Sequence, residues 1–517
     1  MSGPTPYYIT TPIYYVNDSP HIGHAYTTLA CDVLARFMRL DGYDVRFLTG
    51  TDEHGQKVQK SARSAGMDPQ AFTDKVSQNF RDLGQLMNFS NDDFIRTTEP
   101  RHTSGVQALW RTLVERGEIY LGTYAGWYAV RDEAFYTESE LSPGPNGSRL
   151  APSGAPVEWV EEPSYFFRLS AWGERLLRHY EEHPDFVAPD SRRNEVIAFV
   201  KGGLQDLSVS RTSFSWGIPV PSDPRHVMYV WLDALTNYMT AVGYPATDSE
   251  LYARYWPADL HMVGKDILRF HTVYWPAFLM AAGLEPPRRV FAHGWWTMEG
   301  QKMSKSLGNV IDPHAMVARY GLDPVRFFVL REVPFGADGD FSHRAVVGRL
   351  NGDLANDFGN LVQRVLTMIG KNCGARMPEP GALADADKVL LGAAYGLLER
   401  QRAAYRVQAF HTALAELWDV VGRSNRYVDE QAPWALRKTD PARMAMVLWV
   451  LAETIRHLAI LAQPVIPGAA GDVLRQLGVA DDRRRFADLG PKGALVAGTP
   501  LPAPAAVFPR FVAEETA

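Results

Sequence analysis

The strongest constraint on how this chain folds is a change of hydrophobic period within its first fifty-five residues. Residues 7–10 are a short β-favouring run. Ile22, Tyr26, Leu29, Val33, Phe37 and Leu40 then recur at steps of three and four, the spacing of one helix face. Asp41-Gly42 stops that helix, and an extended run restarts at residues 45–49. A strand, a helix and a strand in that order predict parallel strands joined by a right-handed crossover. Ligands of such sheets bind at the carboxyl ends of the strands. Two polar segments fall there, NDSPHIGH at 17–24 and TDEHG at 51–55.

The alternation returns later. Residues 226–231 read as a strand that leads into a helix through Tyr238. Residues 260–263 read as a strand, 267–280 as a helix and 289–293 as a further strand. Between the two α/β stretches, residues 142–156 hold seven Gly or Pro in fifteen, a density that marks a surface loop. The fold class expected is α/β: a split Rossmann-type parallel-sheet catalytic domain (1–116 and 228–298), interrupted by an inserted connective domain (117–227). A linking region follows at 299–345. From residue 346 the character changes. Leu350, Leu354, Phe358, Leu361, Val365 and Ile369 keep helical spacing, and similar stripes at 388–428 and 441–462 predict a helical bundle over 346–480. Residues 481–517 are Ala/Pro-rich and read as a tail, packed or loose.

Composition narrows the classes. The 517 residues are 46% hydrophobic and 22% charged, near globular averages, which excludes a disordered or fibrous chain. A net charge of -6 excludes a strongly basic nucleic-acid coat protein; residues 1–345 sum to -8 and 346–517 to +2. Two cysteines, Cys31 and Cys373, build neither a disulfide framework nor a four-thiolate zinc site. The start, MSGPTPYYIT, lacks the basic region and apolar core of a signal peptide. The stretch MAMVLWVLAETIRHLAILAQ is interrupted by Glu453, Arg456 and His457 and is expected to fall short of a membrane span. A soluble, multidomain, cytoplasmic protein without a membrane partner is expected.

Two motifs carry chemistry. His21-Ile22-Gly23-His24 opens a helix directly after a strand, where free N–H groups and the positive helix end favour phosphate. Gly23 removes a side chain where a base or phosphate approaches the backbone. The bland alternative is a pair of solvated or capping histidines. Lys302-Met303-Ser304-Lys305-Ser306, followed by Leu307-Gly308-Asn309, is a doubly cationic loop suited to a polyphosphate leaving group; the alternative is a solvated basic turn. The two motifs in this order are far more specific than either alone.

With these in place, the sequence resembles the class I aminoacyl-tRNA synthetases, specifically the methionyl-tRNA synthetase family. PIYYVNDSPHIGH, TGTDEHG, YVWLDALTNY, VGKDILRFH, FAHGWWTMEGQKMSKSLGN, NDFGNLVQR and YVDEQAPW occur in the family's order, and the resemblance covers roughly residues 6–465. It implies activation of methionine by ATP to methionyl-adenylate and pyrophosphate. Transfer to the terminal adenosine of initiator and elongator tRNA(Met) then follows. The methionine carboxylate is itself the nucleophile, so the enzyme positions groups and stabilises charge. The family match assigns His21, Gly23 and His24 to the nucleotide. Lys302, Ser304 and Lys305 would take the phosphates, with Mg²⁺ bridging pyrophosphate oxygens. Asp52 matches the position that pairs with the methionine ammonium. Ile13, Tyr15, Trp231, Ala234, Tyr238, Ile267 and His271 match the side-chain pocket, where aromatic rings favour sulfur and Tyr238 and His271 offer polar hydrogens. Their alternative is ordinary core packing. Arg211 matches an arginine reaching the active site from the insertion. Asn360 and Arg364, neighbours on one helix face, and Trp434, a stacking platform, match anticodon contacts.

Two departures stand out. Family members often carry cysteine zinc knuckles in the insertion, whereas residues 117–227 contain no cysteine; His179 and His183 alone do not replace them, and no structural zinc is expected. The added dimer-forming β-barrel of some relatives has no counterpart here, so a monomer is expected. The competing readings are a synthetase for another apolar amino acid, a metal-dependent hydrolase using His21, His24, Asp52, His54 and His271, and a non-catalytic RNA-binding relative. The isoleucine, valine and leucine enzymes carry a large editing domain for which this chain is too short. A hydrolase has no use for a KMSKS loop, and a non-catalytic relative would lose the signature lysines or histidines.

Overall fold

The computed structural model describes residues 3–16, 19–132, 134–298, 300–302 and 310–512. Its centre is a seven-stranded sheet in which every pairing is parallel. The order runs Val187–Ala188, Val290–His293, Leu260–Gly264, Pro6–Thr10, Asp44–Asp52. Tyr14–Tyr15 and Asp93–Arg96 both pair on Asp44–Asp52. Pro6–Thr10 is therefore where the order reverses, the place at which such sheets bind ligands. The crossover helix Ile22–Leu40 buries the expected face, Ile22, Tyr26, Leu29, Val33 and Phe37, against the sheet. It ends at Asp41, and Gly42 turns the chain at φ +91°, where a side chain is strained.

The inserted region forms an antiparallel sheet in the order Leu207–Ser208, Glu158–Phe167, Ile119–Ala129, Ala134–Tyr136, and a smaller three-stranded one. Reading all of 117–227 as an insertion needs correction: Val187–Ala188 pairs parallel with Val290 and Phe291 and belongs to the central sheet. A strand of two residues carries no periodicity, so pattern alone does not reveal it.

Two further elements differ from expectation. The strand ends at Met228 and a helix runs Val230–Thr240, so Trp231 is helical. Tyr229 is the extended N-cap (φ -73°, ψ 142°), and the aromatic, β-branched run around it imitates a strand. The helix expected at 267–280 is broken into a 3-10 turn Lys265–Ile267, a π-helix Phe270–Tyr274 and an α-helix Trp275–Ala282. The π segment carries His271, in keeping with the use of such bulges at functional sites.

The main elements described in the C-terminal part are helices: a π-helical stretch Leu350–Gly359, then Asn360–Asn372, Asp385–Tyr395, Leu397–Arg406, Phe410–Gln431, Pro433–Thr439, Pro441–Ala462 and Pro467–Gln476. Among the described residues Pro441–Ala462 is the one helix long and apolar enough to cross a membrane. It is the buried centre of the bundle, and its charges are paired: Arg456 donates to both Glu453 oxygens at 2.7 and 3.0 Å. The tail packs on this bundle. Thr499 and Met377 bond through their backbones at 2.9 Å, and the Asn351 amide holds the Phe511 backbone N–H (2.8 Å) and carbonyl (3.0 Å).

One buried arginine joins the two parts. Arg326 donates to Asp32 Oδ2 (2.6 Å) in the first crossover helix, to the Met87 carbonyl (2.9 Å), and to the Val465 and Pro464 carbonyls (both 2.9 Å) after the central bundle helix. Arg326 and Asp32 are both fully buried.

Candidate active site

A cavity of about 320 Å³ opens at the carboxyl ends of Pro6–Thr10 and Leu260–Gly264. Every expected nucleotide or methionine residue whose side chain is described lines it: Ile13, Tyr15, His21, Gly23, His24, Asp52, Trp231, Ala234, Tyr238, Ile267 and His271.

The histidine turn is built from its own backbone. His21 is the N-cap of Ile22–Leu40; its Nδ1 accepts from Gly23 N–H at 3.1 Å, and His24 Nδ1 accepts from His21 N–H at 3.0 Å. Both rings are thus capping groups as well as site groups. A nitrogen that accepts carries no hydrogen, so the neutral tautomer of each ring has its proton on Nε2. Burial lowers the pKa of both; His24, further depressed by His21, falls well below the usual range. The result is two neutral Nε2–H donors, on rings 4.0 Å apart, at a helix N-terminus. A Cβ at Gly23 would meet the His21 ring at 2.9 Å, so a side chain there would have to push that ring from its capping position.

The apolar wall comes from two helices. Trp231 stacks on Phe270 at 3.5 Å and 12°. His271 Nδ1 lies 2.9 Å from the Ile267 carbonyl, which only accepts, so Nδ1 carries the hydrogen. Its Nε2 then accepts from the Tyr238 hydroxyl at 2.6 Å. Burial pushes His271 down to about 4, so the ring is neutral. This corrects the expectation that Tyr238 and His271 offer polar hydrogens to a thioether, since both hydrogens are engaged within the protein. Trp231 Nε1 is buried with no partner among the described residues and is the unengaged donor of this wall. Asp52, buried at the last position of its strand, also lines the cavity.

Pro12, Tyr14, Thr27, Leu235, Gly264, Asp266, His293 and Trp295 also line the cavity and were not singled out from the sequence. All but Thr27 lie inside the motifs that carry the family resemblance, which are the available signal. His293 donates through Nδ1 to the Gly294 carbonyl (2.8 Å) and accepts at Nε2 from Thr27 (2.7 Å). Trp295 Nε1 donates to Asp266 at 3.1 Å.

Arg211 is a further correction. It is 1% exposed, donates to Ser208 Oγ at 2.7 Å and lies 4.0 Å over the Tyr229 ring, and it does not line the cavity. Lys302 ends the strand Gln301–Lys302, paired antiparallel with Trp296–Met298. Ser304 and Lys305 lie outside the described residues. In the bundle, Arg364 binds Asp429 (2.9 Å) and sits 5.8 Å over Trp434, whose ring is 49% exposed. Asn360 is exposed one turn before Arg364. Among the described residues no group of three His, Cys, Asp or Glu is placed to hold a metal. The rings of His179 and His183 lie 4.6 Å apart, tilted at 53° to one another.

A parallel sheet with a histidine-capped helix at its switch point, joined to a helical bundle, has the architecture expected of a class I aminoacyl-tRNA synthetase. Residues 7–366 match the family model for tRNA synthetases class I (M), and residues 377–517 that for the anticodon binding domain of methionyl tRNA ligase. The chain belongs to the methionyl-tRNA synthetase family. It is 58% identical over 506 residues to a methionine–tRNA ligase of Mesorhizobium japonicum, covering 98% of each chain. It is also 56% identical over 515 residues to that of Rhizobium meliloti, covering 100% of both. Among solved structures, Mycobacterium tuberculosis methionyl-tRNA synthetase in complex with methionyl-adenylate superposes with a TM-score of 0.96. The two are 55% identical, with 98% of this chain and 100% of that one covered. The free form of the same enzyme gives 0.89 at 52% identity, over 98% and 99%.

Proposed function

We propose that the chain is an ATP-dependent methionine–tRNA ligase that forms methionyl-adenylate and then charges initiator and elongator tRNA(Met). The observation that carries this reading is the cavity itself. It is lined by two fixed Nε2–H donors at a helix N-terminus, a buried carboxylate at the end of a strand, and the rings of Trp231, Tyr238 and His271. A carboxylate attacking an α-phosphate needs positioning and charge neutralisation rather than a protein nucleophile, and this cavity supplies both. His21 and His24 act on the phosphates as neutral donors. Asp52 takes the ammonium, and Ile13, Tyr15, Trp231, Ala234, Tyr238, Ile267 and His271 enclose the thioether. Lys302 and Lys305 neutralise the departing pyrophosphate, assisted by Ser304.

Lys302 and Lys305 would share the phosphate charge with a Mg²⁺ bound alongside the nucleotide, which would supply further charge neutralisation. The enzyme works as a cytoplasmic monomer without structural zinc. Asn360, Arg364 and Trp434 read unpaired anticodon bases. The Arg364–Trp434 pair supports that role, since a guanidinium over an exposed indole is a ready stacking surface.

The deciding experiment is ATP–pyrophosphate exchange with a panel of amino acids. Exchange that depends on methionine supports the reading; exchange with another amino acid and not methionine refutes it.

A further inference from the structure

Behind the cavity lies a buried group that the reading above leaves unused. Asp233 is fully buried, and each of its carboxylate oxygens accepts from a histidine: Oδ2 from His54 Nδ1 at 2.6 Å, Oδ1 from His102 Nε2 at 2.7 Å. Burial alone would raise the Asp233 pKa, but attraction to His54 and the two hydrogen bonds outweigh it and hold the group at about 2. The carboxylate is therefore charged, and charge-assisted bonds of this kind are short and directional.

The placement of the three residues gives the bond its meaning. Asp233 sits on the helix Val230–Thr240, whose Trp231, Ala234 and Tyr238 line the cavity. His54 follows Asp52 by two positions. The His54–Asp233 bond therefore ties the strand end that carries the ammonium partner to the helix that carries the thioether wall. His102, from the helix Pro100–Glu115, fixes the second oxygen and with it the carboxylate orientation. The intervening residue is anchored elsewhere: the Glu53 carbonyl accepts from Trp216 Nε1 at 2.6 Å, and its carboxylate from Arg96 at 2.7 and 2.9 Å. The Tyr15 hydroxyl, at the cavity, donates to the His54 carbonyl at 3.0 Å.

A flexible amino acid held at both ends is recognised by the distance between its two anchors. Misplacement of a bound group by about 1 Å costs on the order of 10²-fold in rate. We infer that Asp233 is a positioning residue that, through His54, sets the separation between Asp52 and the helical wall, and so determines which side-chain length the site accepts. This rests on the cavity being the amino-acid site.

The test compares Asp233→Asn, His54→Ala and His54→Asn in the full chain by ATP–pyrophosphate exchange, varying methionine, ethionine (one methylene longer) and ATP separately. Asp233→Asn and His54→Ala are expected to raise the methionine KM tenfold or more, to leave the ATP KM within twofold, and to narrow the preference for methionine over ethionine. His54→Asn, whose amide nitrogen falls near the position of Nδ1, is expected to restore most of the methionine KM. The double change Asp233→Asn/His54→Ala should be no more than twofold worse than the poorer single one, because both act through one bond. If Asp233→Asn does not fold, the two His54 variants decide alone. An unchanged methionine KM, equal rises for methionine and ATP, or no restoration by His54→Asn overturns the positioning role. An unaltered protein whose exchange ignores methionine overturns the functional reading instead.

Discussion

Replacing Arg326 with Met tests how the catalytic and helical parts are held together. Methionine keeps most of the buried aliphatic volume, so little cavity forms. What is lost is the ion pair to Asp32 and three bonds to carbonyls at Met87, Pro464 and Val465. Removing one partner of a buried pair costs ~3–5 kcal/mol, because the other charge stays buried. Asp32 keeps bonds from Arg36 and Ser90, so the lower half of that range is expected. The surface pair Arg423–Asp419, with both side chains about half exposed, serves as a control worth ~0–1 kcal/mol. Urea unfolding followed by tryptophan fluorescence and by far-UV circular dichroism measures both. Adding Asp32→Asn to Arg326→Met should recover part of the loss, since the cost lies in an orphaned charge. A loss below ~1 kcal/mol, or a double variant less stable than the single, would refute the reasoning.

The other expectations concern chemistry. Lys305→Ala should lower the rate of adenylate formation sharply with methionine affinity nearly unchanged; a fall in affinity with turnover preserved would show the lysine has another role. Trp434→Ala should cut tRNA aminoacylation strongly while exchange survives, and equal loss of both would point to folding. For His271, whose pKa in the folded protein is about 4 against an ordinary 6.5, the folded state binds fewer protons. Its contribution of ~3 kcal/mol is present above pH 6.5 and lost as the pH falls from 6.5 to 4. His271→Gln should flatten the stability profile in that window, and an unchanged slope would contradict the assignment.

The crossover helix was legible because a 3.6-residue period over nineteen residues has no competing explanation. The site was legible only through motif order: the family match placed the cavity residues, while periodicity alone would have left Trp231 and Tyr238 as core. What stayed hidden has a physical cause in each case. Trp231 was misplaced because an aromatic run before a helix satisfies strand statistics. The π-helix at His271 leaves no mark on apolar spacing. The roles of the Tyr238 and His271 hydrogens depend on which neighbours accept, and acceptors are a property of the fold. Asp233 and His102 lie 131 residues apart, and nothing in either segment announces the other.

The two-residue strand Val187–Ala188 gives the inserted region a second standing. It covers Val290–His293, the strand that would otherwise close one side of the central sheet. An uncovered row of backbone N–H and carbonyl groups is a template for intermolecular strand pairing. Any engineered shortening of the insertion that discards these two residues should therefore fail by self-association, even with every group of the cavity left in place. The insertion is in this sense a guard on the sheet as well as an appendage to it.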